Sequence, residues 1–454
     1  MVVDWVSKAR LRIDPILFPA LVIVWANRFF TEFAFPKLII SPDSPDYLAK
    51  HFLDFGNVSL FGNAIRPWPT TVLYALVPNQ LIVLVQLVLS GIAATLFILT
   101  VIKFVNSRVA RLILSLGSAI CLSYTSRLGW DTLANAESLS NTLAVLTVVY
   151  LIRVLQSPDN RNSLVLFLLF GFLYSNQRLL NLVIVLCYSL VVLIRIQGRR
   201  RTSVVVISLA LVALTAFTAN NQNKAWPSTY VGFALTGHLN TVSPISSAFA
   251  TSLSSANAPK CILDLKLRAL DRKDPLYCPE GETWVREHMK GAFVHFLISH
   301  PTSVVPLIKY GIFGAFSDSS TKIGNGFSVL PQSIDTIFVG ERSPKEGVFF
   351  QKAPDTRYYM FVPSFFLILL TLAFMISARF RNKRVGKPEY SFWTGVMTAA
   401  ILVNFLVLFL TSLLTSAEWT RILEPYSLVI DLAAFVLLVV SCEITFEKFD
   451  PSLG

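Results

Sequence analysis

The chain has 454 residues, 54% of them hydrophobic and only 15% charged, with a mean hydropathy of +0.60 and a net charge of +12. A soluble domain carries about 25% charged residues. This composition therefore excludes an ordinary soluble protein and predicts an all-α polytopic membrane protein, since helices and closed barrels are the structures that satisfy backbone groups in lipid.

Met1–Asp14 carries Lys8, Arg10 and Arg12 and lacks a signal-peptide layout, because the apolar stretch after it runs on to spanning length without a small-residue cleavage site. Spans are then expected at Leu17–Phe35, Gln80–Val105, Leu112–Tyr124, Leu139–Leu155, Ser163–Tyr174, Leu179–Ile196, Ser203–Asn220, Tyr359–Ala378, Phe392–Leu414 and Ser427–Cys442. That gives about ten transmembrane helices with both termini cytoplasmic. Basic residues cluster in alternate turns: Lys103/Arg108/Arg111, Arg153/Arg161, Arg195/Arg199/Arg200/Arg201 and Arg379/Arg381/Lys383/Arg384/Lys387. This is the positive-inside pattern of cytosolic loops, so no nucleic-acid partner is expected. Ser163–Ile196 reads better as two helices than one. A single span would put Arg161 and Arg199–Arg201 on opposite sides of the membrane.

Three parts follow: an N-terminal transmembrane bundle over 1–222 with a first outer loop at 36–72, an extracytoplasmic segment over 223–356, and C-terminal transmembrane helices over 357–454. In the middle part Thr241–Asn257, rich in Ser, Ala and Thr, reads as a loose strap. Across Gly281–His300, Val285, Met289, Ala292, Phe293 and Phe296 share one helical face, with Glu287 and Lys290 away from it. That pattern predicts an amphipathic helix on the outer surface, or one packed on other parts of the same segment. Val304–Phe316 contains Lys309 and is short for a span, which suits an interfacial or re-entrant segment. Of the five cysteines, Cys121, Cys187 and Cys442 read as apolar fillers in spans. Cys261 and Cys278 fall in the outer segment, where a disulfide is plausible.

Charged residues gather near span ends on the outer side: Arg28, Glu32, Asp43, Asp46, Arg66, Arg127, Asp131, Glu137, Arg178, Glu418, Arg421 and Glu424. Ionisable groups at membrane depth cost about 2.5–3.5 kcal/mol each and face a bundle interior or a wet cavity. Arginines hold a phosphate by bidentate charged bonds, and a carboxylate takes a proton from an attacking hydroxyl. No phosphate-cradling Gly loop, Gly-x-Ser-x-Gly elbow or zinc motif is present.

Pro42-Asp43-Ser44-Pro45-Asp46-Tyr47-Leu48, then Gly56 and Arg66-Pro67-Trp68-Pro69, resembles the first outer loop of GT-C-type integral membrane glycosyltransferases. That group includes bacterial relatives of the dolichyl-phosphate-mannose protein mannosyltransferases. Ala136-Glu137-Ser138-Leu139, Asn176-Gln177-Arg178-Leu179, Trp284–Pro301 and Glu418-Trp419-Thr420-Arg421 are similar to later outer corners of the family. The first loop departs from the family in having Asp-x-x-Asp where a tight acidic pair is usual. The resemblance implies an inverting transfer of a sugar from a polyprenyl-phosphate donor to an extracytoplasmic glycan, lipid or protein acceptor, in the plasma (inner) membrane of a bacterium. It makes Asp43 the general base or the group that orients the acceptor, with helix capping as its structural alternative. Asp46 and Glu137 become candidates for the acceptor or for a divalent Mg or Mn ion. Arg66, Arg178 and Arg421 become candidates for the donor phosphate. An O-antigen polymerase or ligase, using arginines and a histidine of the outer segment, is the alternative enzyme. A transporter is disfavoured because the charges lie at span ends and no internal repeat is visible.

Overall fold

The computed structural model describes residues 15–34, 38, 47–48, 67–123, 128, 130–178, 180–225, 243–270, 275–316, 388–414 and 419–446. Every regular element among them is helical.

A 3-10 turn at Pro15–Leu17 opens α1, Phe18–Ala34. Pro67 and Pro69, which need no amide donor, start the short α2, Trp68–Leu76. Next come α3, Ile82–Val101, and α4, Arg108–Leu122. Ser107 caps α4 by accepting from the Ala110 amide at 3.0 Å, and Glu443 adds a carboxylate that accepts from the Asn106 and Ser107 amides at 2.7 and 2.6 Å. A carboxylate suits a helix N-terminus, where amides are unsatisfied and the dipole is positive. Helix α5 spans Glu137–Gln156 and α6 spans Arg161–Ser175, the latter capped by Asn160. Helix α7 restarts at Asn181 and ends at Arg195, and α8 covers Arg199–Ala225. Ser163–Ile196 is thus two helices.

The middle segment is not a loose strap. Ser243–Ser255 forms α9, because Ile245, Phe249 and Leu253 recur every fourth residue and all three are buried. Helix α10, Lys260–Leu265, is tied by a Cys261–Cys278 disulfide to the start of α11, Pro279–Trp284. A π-helical turn at Val285–Met289 joins α11 to α12, Lys290–Ser299. The apolar face of this helix is buried through Val285, Met289, Phe293 and Phe296. Phe249 of α9 packs on Phe293 and Phe296, with ring centroids 5.5 and 5.0 Å away. Its cover therefore comes from the same segment. The chain then bends by 101° at His300 into α13, Pro301–Phe316, as a broken span or re-entrant segment does. Helices α14, Pro388–Leu414, and α15, Trp419–Phe446, close the bundle, and α13 packs against both.

Six described helices are long and apolar enough to cross a membrane, or seven if the bent pair is one span, where about ten were expected. Helices α4, α6 and α7 have 15 residues each. They reach roughly 22 Å against a hydrocarbon core of about 30 Å. The expected span Tyr359–Ala378 lies outside the described residues. Helices α5 and α15 form the centre, with 83% and 78% of their apolar stretches buried, against 28% for the peripheral α1 and α8.

Two ends of the bundle are distinct. At one, Arg200 pairs with Asp159 at 2.8 Å, Arg153 donates to Thr100 at 3.2 Å, and Arg195 lies 3.8 Å over the Phe392 ring. These contacts hold the arginine-bearing turns together. The opposite end gathers the starts of α2, α5, α7 and α15.

Candidate functional site

The site grows from the connection between α4 and α5, which dips into the bundle. Gln86 of α3 donates from Nε2 to the carbonyls of Asp131 and Leu133 at 3.1 and 3.0 Å. Tyr74 of α2 donates its hydroxyl to the Asn135 carbonyl at 2.7 Å. Asn135 Oδ1 then accepts from the Glu137 amide at 3.3 Å, which sets the first turn of α5. Tyr47, the last residue of the Pro-Asp-Ser-Pro-Asp-Tyr motif, is buried edge-on against Tyr74 with centroids 6.3 Å apart. It shares a small apolar cluster with Ala134 and Ala136, directly before Glu137.

Glu137 is fully buried, and its Oε1 lies 2.7 Å from Arg178 Nη2. The Arg178 side chain keeps about a fifth of its surface exposed while Glu137 holds its guanidinium. It comes from the turn between α6 and α7, which neighbouring helices fix on two sides. Thr70 donates to Gln177 Oε1 at 3.0 Å, and Tyr426 donates to Asn181 Oδ1 at 2.8 Å. The same turn carries three sealed polar atoms with no hydrogen-bond partner: Tyr174 OH, Asn176 Oδ1 and Gln177 Nε2. Each such atom costs about 1–3 kcal/mol if left dry. A turn that concentrates them beside a half-open arginine suits a polar ligand or ordered water.

Deeper lies a second polar group. Arg28 donates from Nε to Ser90 Oγ at 3.0 Å, and Ser90 donates to Asp131 Oδ2 at 2.6 Å. Ser138 donates to Asp131 Oδ1 at 2.6 Å. Gly91 leaves room for this arrangement, since a Cβ there would sit 3.0 Å from both Arg28 Cδ and the Trp25 ring. Ser90 stands eleven residues into the helical stretch that opens at Asn79, about 16 Å along the axis. Arg28 and Asp131, both expected near span ends, meet through Ser90, well inside the apolar stretch Asn79–Phe104.

Of the residues singled out from sequence, Glu137 and Arg178 are brought together. Asp43, Asp46, Arg66 and Arg127 lie outside the described residues. Arg421 sits in the first turn of α15, five residues before Tyr426. The exposed His288, His295 and His300 line the far side of α11–α12. Tyr74, Gln86, Asn181 and Tyr426 carried no sequence pattern that marked them, and Gln177 stood out only as part of Asn176-Gln177-Arg178-Leu179. Only intramembrane amides and phenols, which need partners in lipid, pointed their way. Among the described residues no group of three His, Cys, Asp or Glu converges as a metal site would.

No protein-family model, no curated protein and no solved structure matches this chain. The resemblance to GT-C enzymes therefore rests on the quoted motifs alone.

Proposed function

We propose that this chain is a multi-pass membrane glycosyltransferase that moves a sugar from a polyprenyl-phosphate donor to an extracytoplasmic acceptor with inversion. The observation that carries the reading is Arg178, a fifth of its side chain exposed, held at 2.7 Å by the buried Glu137 and flanked by three unpartnered atoms, Tyr174 OH, Asn176 Oδ1 and Gln177 Nε2. Arg178 would take a phosphate oxygen of the donor by charged hydrogen bonds. Glu137 would aim it, and Arg66 and Arg421 would supply further positive charge to the same phosphate. Asp43 would act as general base, taking the proton of the acceptor hydroxyl as its oxygen attacks the anomeric carbon and the lipid phosphate leaves from the opposite face. The burial of Tyr47 against Tyr74, in the cluster that includes Ala136 just before Glu137, supports this role, since Tyr47 ends the motif that contains Asp43. Asp46 would face the acceptor or a divalent Mg or Mn ion. The positive-inside pattern puts this end on the non-cytosolic leaflet of the plasma membrane.

The test is transfer from polyprenyl-phosphate sugars by the full-length protein in liposomes. Asp43→Asn should abolish transfer in a protein that remains folded and inserted, and Arg178→Gln should lower it. Turnover by Asp43→Asn at the wild-type rate removes the base assignment. Loss of turnover in His288→Ala or His300→Ala, with Asp43→Asn active, turns the reading to a polymerase or ligase.

A second reading, a lipid or solute carrier, is favoured by one observation: Arg28 and Asp131 lie against the middle of α3. Movement of a lipid-linked sugar across the same liposomes without any transfer would select it.

A further inference from the structure

Between α1, α3, α5 and α15 lies a cavity of about 30 Å³, lined by Arg28, Ser90, Asp131, Asn141 and Thr142 on its polar side and by Leu128, Val145 and Leu428 on its apolar side. About 10–15 Å³ of such space is enough to hold one ordered water, so the cavity has room for at least one. Asn141 is more than nine-tenths buried, lines the cavity, and has a sealed Oδ1 without a hydrogen-bond partner.

The donors around the cavity can be counted. A guanidinium has five N–H groups. Arg28 places Nε on Ser90, Nη1 on the Val24 carbonyl and Ser123 Oγ, and Nη2 on the Leu122 carbonyl. One Nη2 N–H is left over. Asp131 accepts one hydroxyl on each oxygen, which leaves lone pairs on both. The inventory around the cavity is thus one spare donor, one unpartnered amide oxygen and a carboxylate with acceptor capacity. A molecule that accepts once and donates twice completes it.

We propose that this cavity is a built site for a single resident water, which accepts from Arg28 and donates to Asn141 Oδ1 and to the Asp131 carboxyl. The water closes an Arg28–Ser90–Asp131–Asn141 ring near mid-depth and gives Asp131 a route for proton exchange without opening the bundle. A metal cation does not fit, because it would face the Arg28 guanidinium. The site is independent of the transfer reaction, and failure of one leaves the other standing.

Radiolytic hydroxyl-radical footprinting of the full-length protein in lipid nanodiscs tests it, since radicals form on bound water and oxidise the side chains beside it. Val145 and Leu428 are 2% and 3% exposed and border the cavity, whereas Val149 on the same helix is buried away from it. In the wild type, Val145 and Leu428 should oxidise at least about tenfold faster than Val149, and Asn141→Leu, which removes the acceptor and fills the space, should lower those rates about fivefold. Equal rates at Val145, Leu428 and Val149 in the wild type would overturn the proposal. Unchanged labelling in Asn141→Leu would also overturn it. The wild-type comparison decides the matter if that variant does not fold.

Discussion

Removing Arg178 should destabilise the protein through Glu137. Breaking a buried ion pair by deleting one partner costs about 3–5 kcal/mol, because the remaining charge loses its counter-charge in a low-dielectric site. Glu137 is fully buried, but Arg178 keeps a fifth of its side chain in contact with solvent, which screens part of the interaction. Arg178→Met should therefore cost about 2–3 kcal/mol. Glu137→Gln retains a hydrogen-bond acceptor for Arg178 and should cost about 1–2 kcal/mol. The double variant removes both charges and should return to within about 1 kcal/mol of the wild type, so the coupling energy is roughly 2–5 kcal/mol. The assay is reversible unfolding in detergent micelles across the four proteins of the cycle. Additivity within about 0.5 kcal/mol would show that the two side chains do not depend on each other. An Arg178→Met protein as stable as the wild type would refute the reasoning outright.

Gly117 of α4 faces the Phe435 ring of α15, and a Cβ at that position would lie 2.0 Å from Cζ. Gly117→Ala should cost about 1–3 kcal/mol by overpacking, and Phe435→Leu in the same chain should restore most of the loss of thermal stability. Glu443→Gln weakens two charge-assisted bonds to the start of α4 and should cost about 1–2 kcal/mol, readable by the same unfolding measurement.

The parts of this fold that could be read from sequence are those set by local pattern. The face Val285–Met289–Phe293–Phe296 announces its helix, and the arginine-bearing turns before α6 and after α7 require two helices between them. Helix α9 was hidden because its Ser- and Ala-rich composition obscured the fourfold spacing of Ile245, Phe249 and Leu253. Of the ten expected spans, Leu112–Tyr124, Ser163–Tyr174 and Leu179–Ile196 coincide with helices of 15 residues, and Tyr359–Ala378 lies outside the described residues. At the candidate site, Glu137 and Arg178 could be picked out as charges at outer corners, but not as partners 41 residues apart. The Arg28–Asp131 meeting was less legible still. It depends on the inward fold of the α4–α5 connection, which Tyr74 and Gln86 hold by bonds to backbone carbonyls. No local pattern records such bonds.

The central claim is that the Glu137–Arg178 end faces the non-cytosolic side while the arginine-rich turns face the cytosol. Single-cysteine labelling with a membrane-impermeant maleimide in intact cells, with Cys121, Cys187 and Cys442 replaced, tests it most directly. Lys290→Cys, on the exposed face of α12, should label from outside, and Asp159→Cys, in the turn between α5 and α6, only after the membrane is opened. Labelling of Asp159→Cys in intact cells, with Lys290→Cys protected, would contradict the account.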